Sequence, residues 1–74
     1  MPQRKIYRVA PAGAWWHVKH EGAVLSTHRL KQEAINAGRK IALDNQPSQL
    51  VLHRADGTIE QEWTYGSDPY PPQG

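Results

Sequence analysis

Apolar and polar residues alternate through Ile6 to Ala10, Trp15 to His20 and Ala23 to Thr27. A period of two sends neighbouring side chains to opposite faces, so these runs predict three strands joined by tight turns. In the first, Tyr7 and Val9 share a face with Arg8 behind them, and Pro11-Ala12-Gly13 breaks the run. In the second, Trp16 and Val18 share one face while Trp15, His17 and Lys19 take the other. Glu21-Gly22 supplies the next turn, and Val24 and Leu25 of the third strand face opposite ways.

The period then lengthens. From Lys31 to Asn45, residues Ala34, Ile35, Gly38, Ile41 and Ala42 recur at spacings of three and four, which predicts a helix with an apolar stripe. Small residues dominate that stripe, so the helix can lie close on a sheet. Mid-helix Gly38 costs roughly 1 kcal/mol relative to alanine, a cost that close packing offsets. Pro47 disfavours helix just before it, and Asn45-Gln46-Pro47-Ser48 ends the element. Alternation resumes over Gln49 to Arg54, with Leu50 and Leu52 inward. It continues over Thr58 to Tyr65, with Ile59 and Trp63 inward and Glu60 and Glu62 outward. Between them Asp56-Gly57 predicts a type I′ hairpin turn, whose central residues take positive φ.

The pattern therefore predicts an α+β domain with elements in the order β-β-β-α-β-β, one antiparallel sheet with the helix packed on one face. The core is expected from Tyr7, Val9, Trp16, Val18, Leu25, Ile35, Ile41, Leu50, Leu52, Ile59 and Trp63. Residues 5–66 form the globular part. Pro69, Pro71 and Pro72 lack amide donors, so residues 67–74 are expected to be an extended tail, with Tyr65 and Tyr70 packing back to seal the core.

Those 74 residues suffice for a single domain, and one this small buries only about 60% of its unfolded surface, which leaves little room for a deep catalytic pocket. The chain has no cysteine, which excludes disulfides, thiolate-zinc sites and a thiol nucleophile. Neither a signal-peptide run nor a membrane helix is legible, and a cytoplasmic setting is expected. Nine Lys and Arg against seven Asp and Glu give a net charge of +2 and a pI near 9.2. That balance permits a nucleic-acid partner without demanding one. The only adjacent basic pairs are Arg4-Lys5 and Arg39-Lys40.

The C-terminal run Tyr65-Gly66-Ser67-Asp68-Pro69, followed by Pro71-Pro72 and preceded by Asp56-Gly57, resembles the ending of a family of small bacterial and phage proteins described only as a domain of unknown function. Trp16-His17-Val18-Lys19 with Glu21-Gly22 resembles the family's second strand and turn. Ser26-x-His28 leading to Lys31-x-Glu33-Ala34-Ile35 resembles its approach to the helix. The likeness runs from about Ile6 to Gly74. It departs at Leu30, where members usually carry Thr, so a hydroxyl helix cap is missing. The resemblance implies a fold and a size, and brings no activity, cofactor or catalytic residue.

Candidate chemistry is sparse. His17-x-x-His20 is the tightest histidine pair, but a spacing of three on a strand splits it between faces, so no metal site is expected. His53 is placed to meet Glu60 or Thr58 across the hairpin. Ser26, His28 and Asp56 assemble a catalytic set only on paper, without a nucleophile elbow, and no motif implies a cofactor. Glu60 and Glu62 on one exposed face fit solvated edge residues better than an acid/base pair. The expectation is a non-enzymatic binding or accessory module. Arg8, Trp15, His17 and Lys19 set an aromatic ring among cations, a combination that stacks on a base and holds phosphate, so DNA or RNA is one candidate partner. The alternative is self-association or another protein partner, through a sheet edge, Trp15 and the tail residues Tyr70, Pro71 and Pro72.

Overall fold

The computed structural model describes residues 4–66. Strands β1 (Lys5–Ala12), β2 (Trp15–His20) and β3 (Ala23–His28) form the expected meander. Helix α1 (Lys31–Asp44) follows, then β4 (Ser48–His53) and β5 (Ile59–Tyr65). The five strands form one sheet in the order β3-β2-β1-β4-β5. The expected tail lies outside the described residues.

The sheet is mixed, which corrects the purely antiparallel expectation: β4 runs parallel to β1, with Tyr7 opposite Leu50 and Val9 opposite Leu52. Two antiparallel steps make β3 parallel to β1. The 14-residue helix then returns the chain about 21 Å along the strands, so β4 starts at the end where β3 started. Leu50-Val51-Leu52 explains why β4 lands inside the sheet. Three apolar residues in a row suit a strand covered on both faces, and all three are buried.

Helix α1 lies over β1 to β4 and closes the core with Ala34, Ile35, Gly38 and Ala42 against Tyr7, Val9, Val18, Leu50 and Leu52. Trp16, Ile41, Trp63 and Tyr65 pack at its margin. Leu30 is the N-cap and makes no side-chain cap bond. The other end is well served, because the side chains of Asn45, Gln46 and Ser48 donate to the carbonyls of Ile41, Leu43 and Ala42. Arg4 donates to the carbonyls of Ser48 and Tyr65, joining the start of β4 to the end of β5.

Two core assignments fail for one reason. Leu25 is 45% and Ile59 47% exposed, and each stands at a register shift, beside Val18/Lys19 in the β2–β3 ladder and Leu52/His53 in the β4–β5 ladder. Leu25 is itself the unpaired extra residue of β3, whereas Ile59 lies beyond the extra Glu60, so that its face is reversed and it stands opposite His53. Pro11 also stays inside β1 rather than ending it. The β4 ladder stops at Val9, leaving an unpaired flank where proline is tolerated.

The turns are exchanged as well. The positive-φ pair sits at Glu21-Gly22, φ 52° and 82°, between the paired residues His20 and Ala23. Asp56-Gly57 belongs to a wider loop in which Gly57 N–H bonds the Arg54 carbonyl and Arg54 N–H bonds the Thr58 carbonyl. Only Gly57 there has positive φ, at 90°, as in a type I turn closed by a glycine bulge. Glutamate is strained at positive φ, so Glu21→Gly is expected to raise stability by about 0.5–1 kcal/mol, read as a higher urea midpoint.

Candidate functional site

The sheet has one face covered by α1 and one open. Register places Arg8 opposite Lys19, Ala10 opposite His17 and Ala12 opposite Trp15. These residues alternate with the buried Tyr7, Val9 and Val18, so all four candidate side chains share the open face. Thr27 joins them from β3, opposite His17.

Neighbouring elements set the geometry of each candidate. Arg8 donates from its guanidinium to Nε2 of His53 at 3.0 Å, and His53 Nδ1 meets the Gly57 carbonyl at 3.1 Å. His53 must then be the neutral tautomer protonated on Nδ1, since Nε2 accepts. It therefore holds Arg8 rather than meeting Glu60 or Thr58. Trp15 is 45% exposed at the start of β2, and the guanidinium carbon of Arg29 lies 5.4 Å from its ring centroid, a cation–π contact. His17 and Lys19 have no side-chain hydrogen-bond partner among the described residues. Between Arg8 on β1 and Glu62 on β5 lies Val51 of β4, only 4% exposed, covered on the open side by its longer neighbours.

The two glutamates part company. Glu62 stays on the open face, bound by the side-chain amide of Gln49. Glu60, beside the register shift, turns toward the helix, where both its oxygens accept from Lys31 Nζ at 3.0–3.1 Å. The same ammonium lies 5.8 Å from the Trp16 ring centroid. Glu60 and Glu62 are therefore not the shared outward pair expected of them.

Among the described residues the set Ser26, His28 and Asp56 is not brought together, nor is the pair His17 and His20. Ser26 and His28 do meet, Oγ to Nε2 at 2.9 Å, but they lie on β3 at one edge of the sheet. Asp56 lies in the loop before β5 at the other. His17 is on the open face, whereas His20 stacks on Tyr7 at 4.6 Å on the helix side. Among the described residues no three His, Asp or Glu side chains cluster as metal ligands. Tyr65 packs against the core, while Tyr70, Pro71 and Pro72 lie outside the described residues.

Asp56 accepts from both the hydroxyl and the amide of Thr58. These bonds, the hydroxyl's first, hold its pKa below the usual 3.8. A lowered folded value means that this stabilisation is complete above the unfolded pKa and is lost as pH falls through the folded one. Acid titration should therefore shift the Thr58 amide resonance at a pH below 3.8, and Asp56→Asn should abolish that step.

One signal was overlooked in the linear reading: charge is segregated. Residues 4–31 hold six Lys and Arg and one carboxylate, Glu21, for a local charge of +5. The rest of the chain holds three against six, or −3, which together give the net +2. Of the six cations, Lys5, Arg8 and Lys19 lie on the adjacent strands β1 and β2 and Arg29 follows β3, whereas Arg4 reaches the Ser48 and Tyr65 carbonyls and Lys31, on α1, pairs with Glu60. No acidic side chain lies on those three strands, while Glu60 and Glu62 lie on β5. Arg29 was likewise overlooked as a site residue, since only the fold brings it to Trp15.

The family model of an uncharacterised protein conserved in bacteria, DUF2188, matches residues 7–65. The chain belongs to this family. The DUF2188 match takes in the whole open face from Tyr7 onward and ends at Tyr65, before the C-terminal proline motif. No curated protein and no solved structure matches the chain. Among the described residues no helix is long and apolar enough to cross a membrane.

Proposed function

We propose that this DUF2188 protein is a non-enzymatic, cytoplasmic binding module that takes nucleic acid on the open face of β3-β2-β1. The observation that carries the reading is the open face itself, where Arg8 and Lys19 stand opposite one another with Trp15, His17 and the nearby Arg29, on strands that bear no acidic side chain. Phosphate is attracted to such a group of cations. Arg8 and Lys19 stand side by side in it, and Glu60, which would oppose a phosphate backbone, is turned away to Lys31.

A titration with fluorescent DNA and RNA oligonucleotides at several salt concentrations tests the reading. Affinity should fall linearly on a log–log salt plot, Lys19→Ala should flatten the slope by about 1 if one phosphate contact is lost, and Arg8→Ala should lower affinity at every salt concentration. Trp15→Ala should weaken binding, while Lys40→Ala on the helix should not. Absence of binding at low salt, or binding indifferent to Arg8, Trp15 and Lys19, would refute it.

A second reading rests on β3. It is a sheet edge whose Val24 and Leu25 are 48% and 45% exposed, and such an edge can add a strand from a second copy or another protein. Sedimentation that stays monomeric at high concentration, and is unchanged by Leu25→Lys, would remove self-association.

A further inference from the structure

We infer that the nucleic acid taken by this face is B-form duplex DNA, with β3-β2-β1 lying in the major groove. The inference rests on the reading of the open face given above and specifies its ligand. Width is the first argument. Strands about 4.8 Å apart make a three-stranded face about 10 Å across, and the major groove is about 12 Å wide. The next strand outward on the open face leads to Val51 and then Glu62, so the carboxylate begins where the groove wall would end.

Spacing is the second. Alternate residues on a strand stand about 6.8 Å apart, close to two base-pair rises. The Arg8/Lys19, Ala10/His17 and Ala12/Trp15 rungs therefore cover about four base pairs. The small Ala10 and Ala12 let the β1 backbone approach. Arg8 is presented by His53 rather than loose, with guanidinium donors suited to the acceptor edge of guanine; His17 and Thr27 carry polar groups toward the same groove floor. Arg29, lying on the Trp15 ring at the rim, is placed for a phosphate.

The third argument is against a single strand. Such ligands are held by successive bases stacking on several aromatic rings. Among the described residues Trp15 is the only aromatic side chain besides histidine on the open face, and Arg29 already lies over its ring. Tyr7, Trp16, Trp63 and Tyr65 belong to the helix-side core.

The test is fluorescence anisotropy with one sequence prepared as duplex DNA, as single-stranded DNA and as duplex RNA, using the full chain. Duplex DNA should bind at least about tenfold tighter than either alternative, because the deep, narrow major groove of A-form RNA excludes side chains. The major-groove ligand methyl green should displace the protein, and the minor-groove ligand netropsin should not. Arg8→Gln, with an unchanged circular dichroism spectrum, should lower duplex affinity by about fivefold or more, the loss of one base or phosphate contact. Tighter binding to single strands or to duplex RNA, or displacement by netropsin alone, overturns the groove assignment and leaves the open-face reading standing. No binding to any of the three overturns both.

Discussion

Leu50→Ala is expected to remove a quarter or more of the domain's stability. A chain of 74 residues has about 4–11 kcal/mol in total at the usual density per residue. Leu50 is 0% exposed, lies opposite Tyr7 on one side and Trp63 on the other, and meets α1 at Gly38. Those neighbours are held by the sheet ladders on both sides and by a helix that also rests on Val9, so the space left by the isobutyl group collapses only in part. The loss should therefore fall in the upper part of the Leu→Ala range, about 3–5 kcal/mol. Urea denaturation should show a lower midpoint at an unchanged slope. A loss under about 1 kcal/mol would mean that the helix is not seated on Leu50.

Gly38→Val should cost about 2–3 kcal/mol by the opposite fault, overpacking. A Cβ at Gly38 would stand 2.8 Å from Leu50 Cδ1 and 3.2 Å from Val9 Cγ2, and valine adds two methyl groups to that crowding. Alanine is the more delicate case, since a helix-propensity gain of about 1 kcal/mol opposes the contact. The two sites must also couple. In Gly38→Ala combined with Leu50→Ala, the new methyl meets a cavity instead of a methyl group. The double variant should thus be more stable than the sum of the singles by about 1 kcal/mol or more. Additive losses would separate the two residues in space.

Much of this packing is readable in the chain. The stripe Ala34, Ile35, Gly38, Ile41 and Ala42 announces a helix pressed onto a sheet, and the alternation around Val9, Val18, Leu50 and Leu52 announces the face that receives it. Periodicity carries no partner, however, so the parallel β1–β4 pairing has to be inferred from the β3-α1-β4 crossover and the unbroken Leu50-Val51-Leu52 run. Nor does periodicity reveal a register shift. Ile59 and Glu60 sit beside one and lie on the side opposite to their sequence parity, while Leu25 is itself the unpaired residue of the other. At Asp56-Gly57 the hairpin is legible but its turn type is not, because the Asp56 side chain is engaged by Thr58.

The candidate site divides along the same line. Arg8, Trp15, His17 and Lys19 share a face because they obey the period of two on strands without an interruption between them. Arg29 and His53 join them only through folding, one from the link to the helix and one from a strand distant in sequence. The charge split is present in the sequence. Only the fold separates Arg8, Lys19 and Arg29, at or beside the open face, from Arg4 and Lys31, which are engaged elsewhere.

Whether nucleic acid binds on the open face of β3-β2-β1 can be read residue by residue in an NMR titration of the isotope-labelled protein with a short DNA duplex. Progressive shifts are expected at Arg8, Ala10, Trp15 with its indole N–H, His17, Lys19, Thr27 and Arg29, reversed by added salt, with α1 and Glu62 nearly silent. Shifts centred on Arg39 and Lys40 of the helix, or a spectrum unmoved by excess duplex at low salt, would contradict binding on this face.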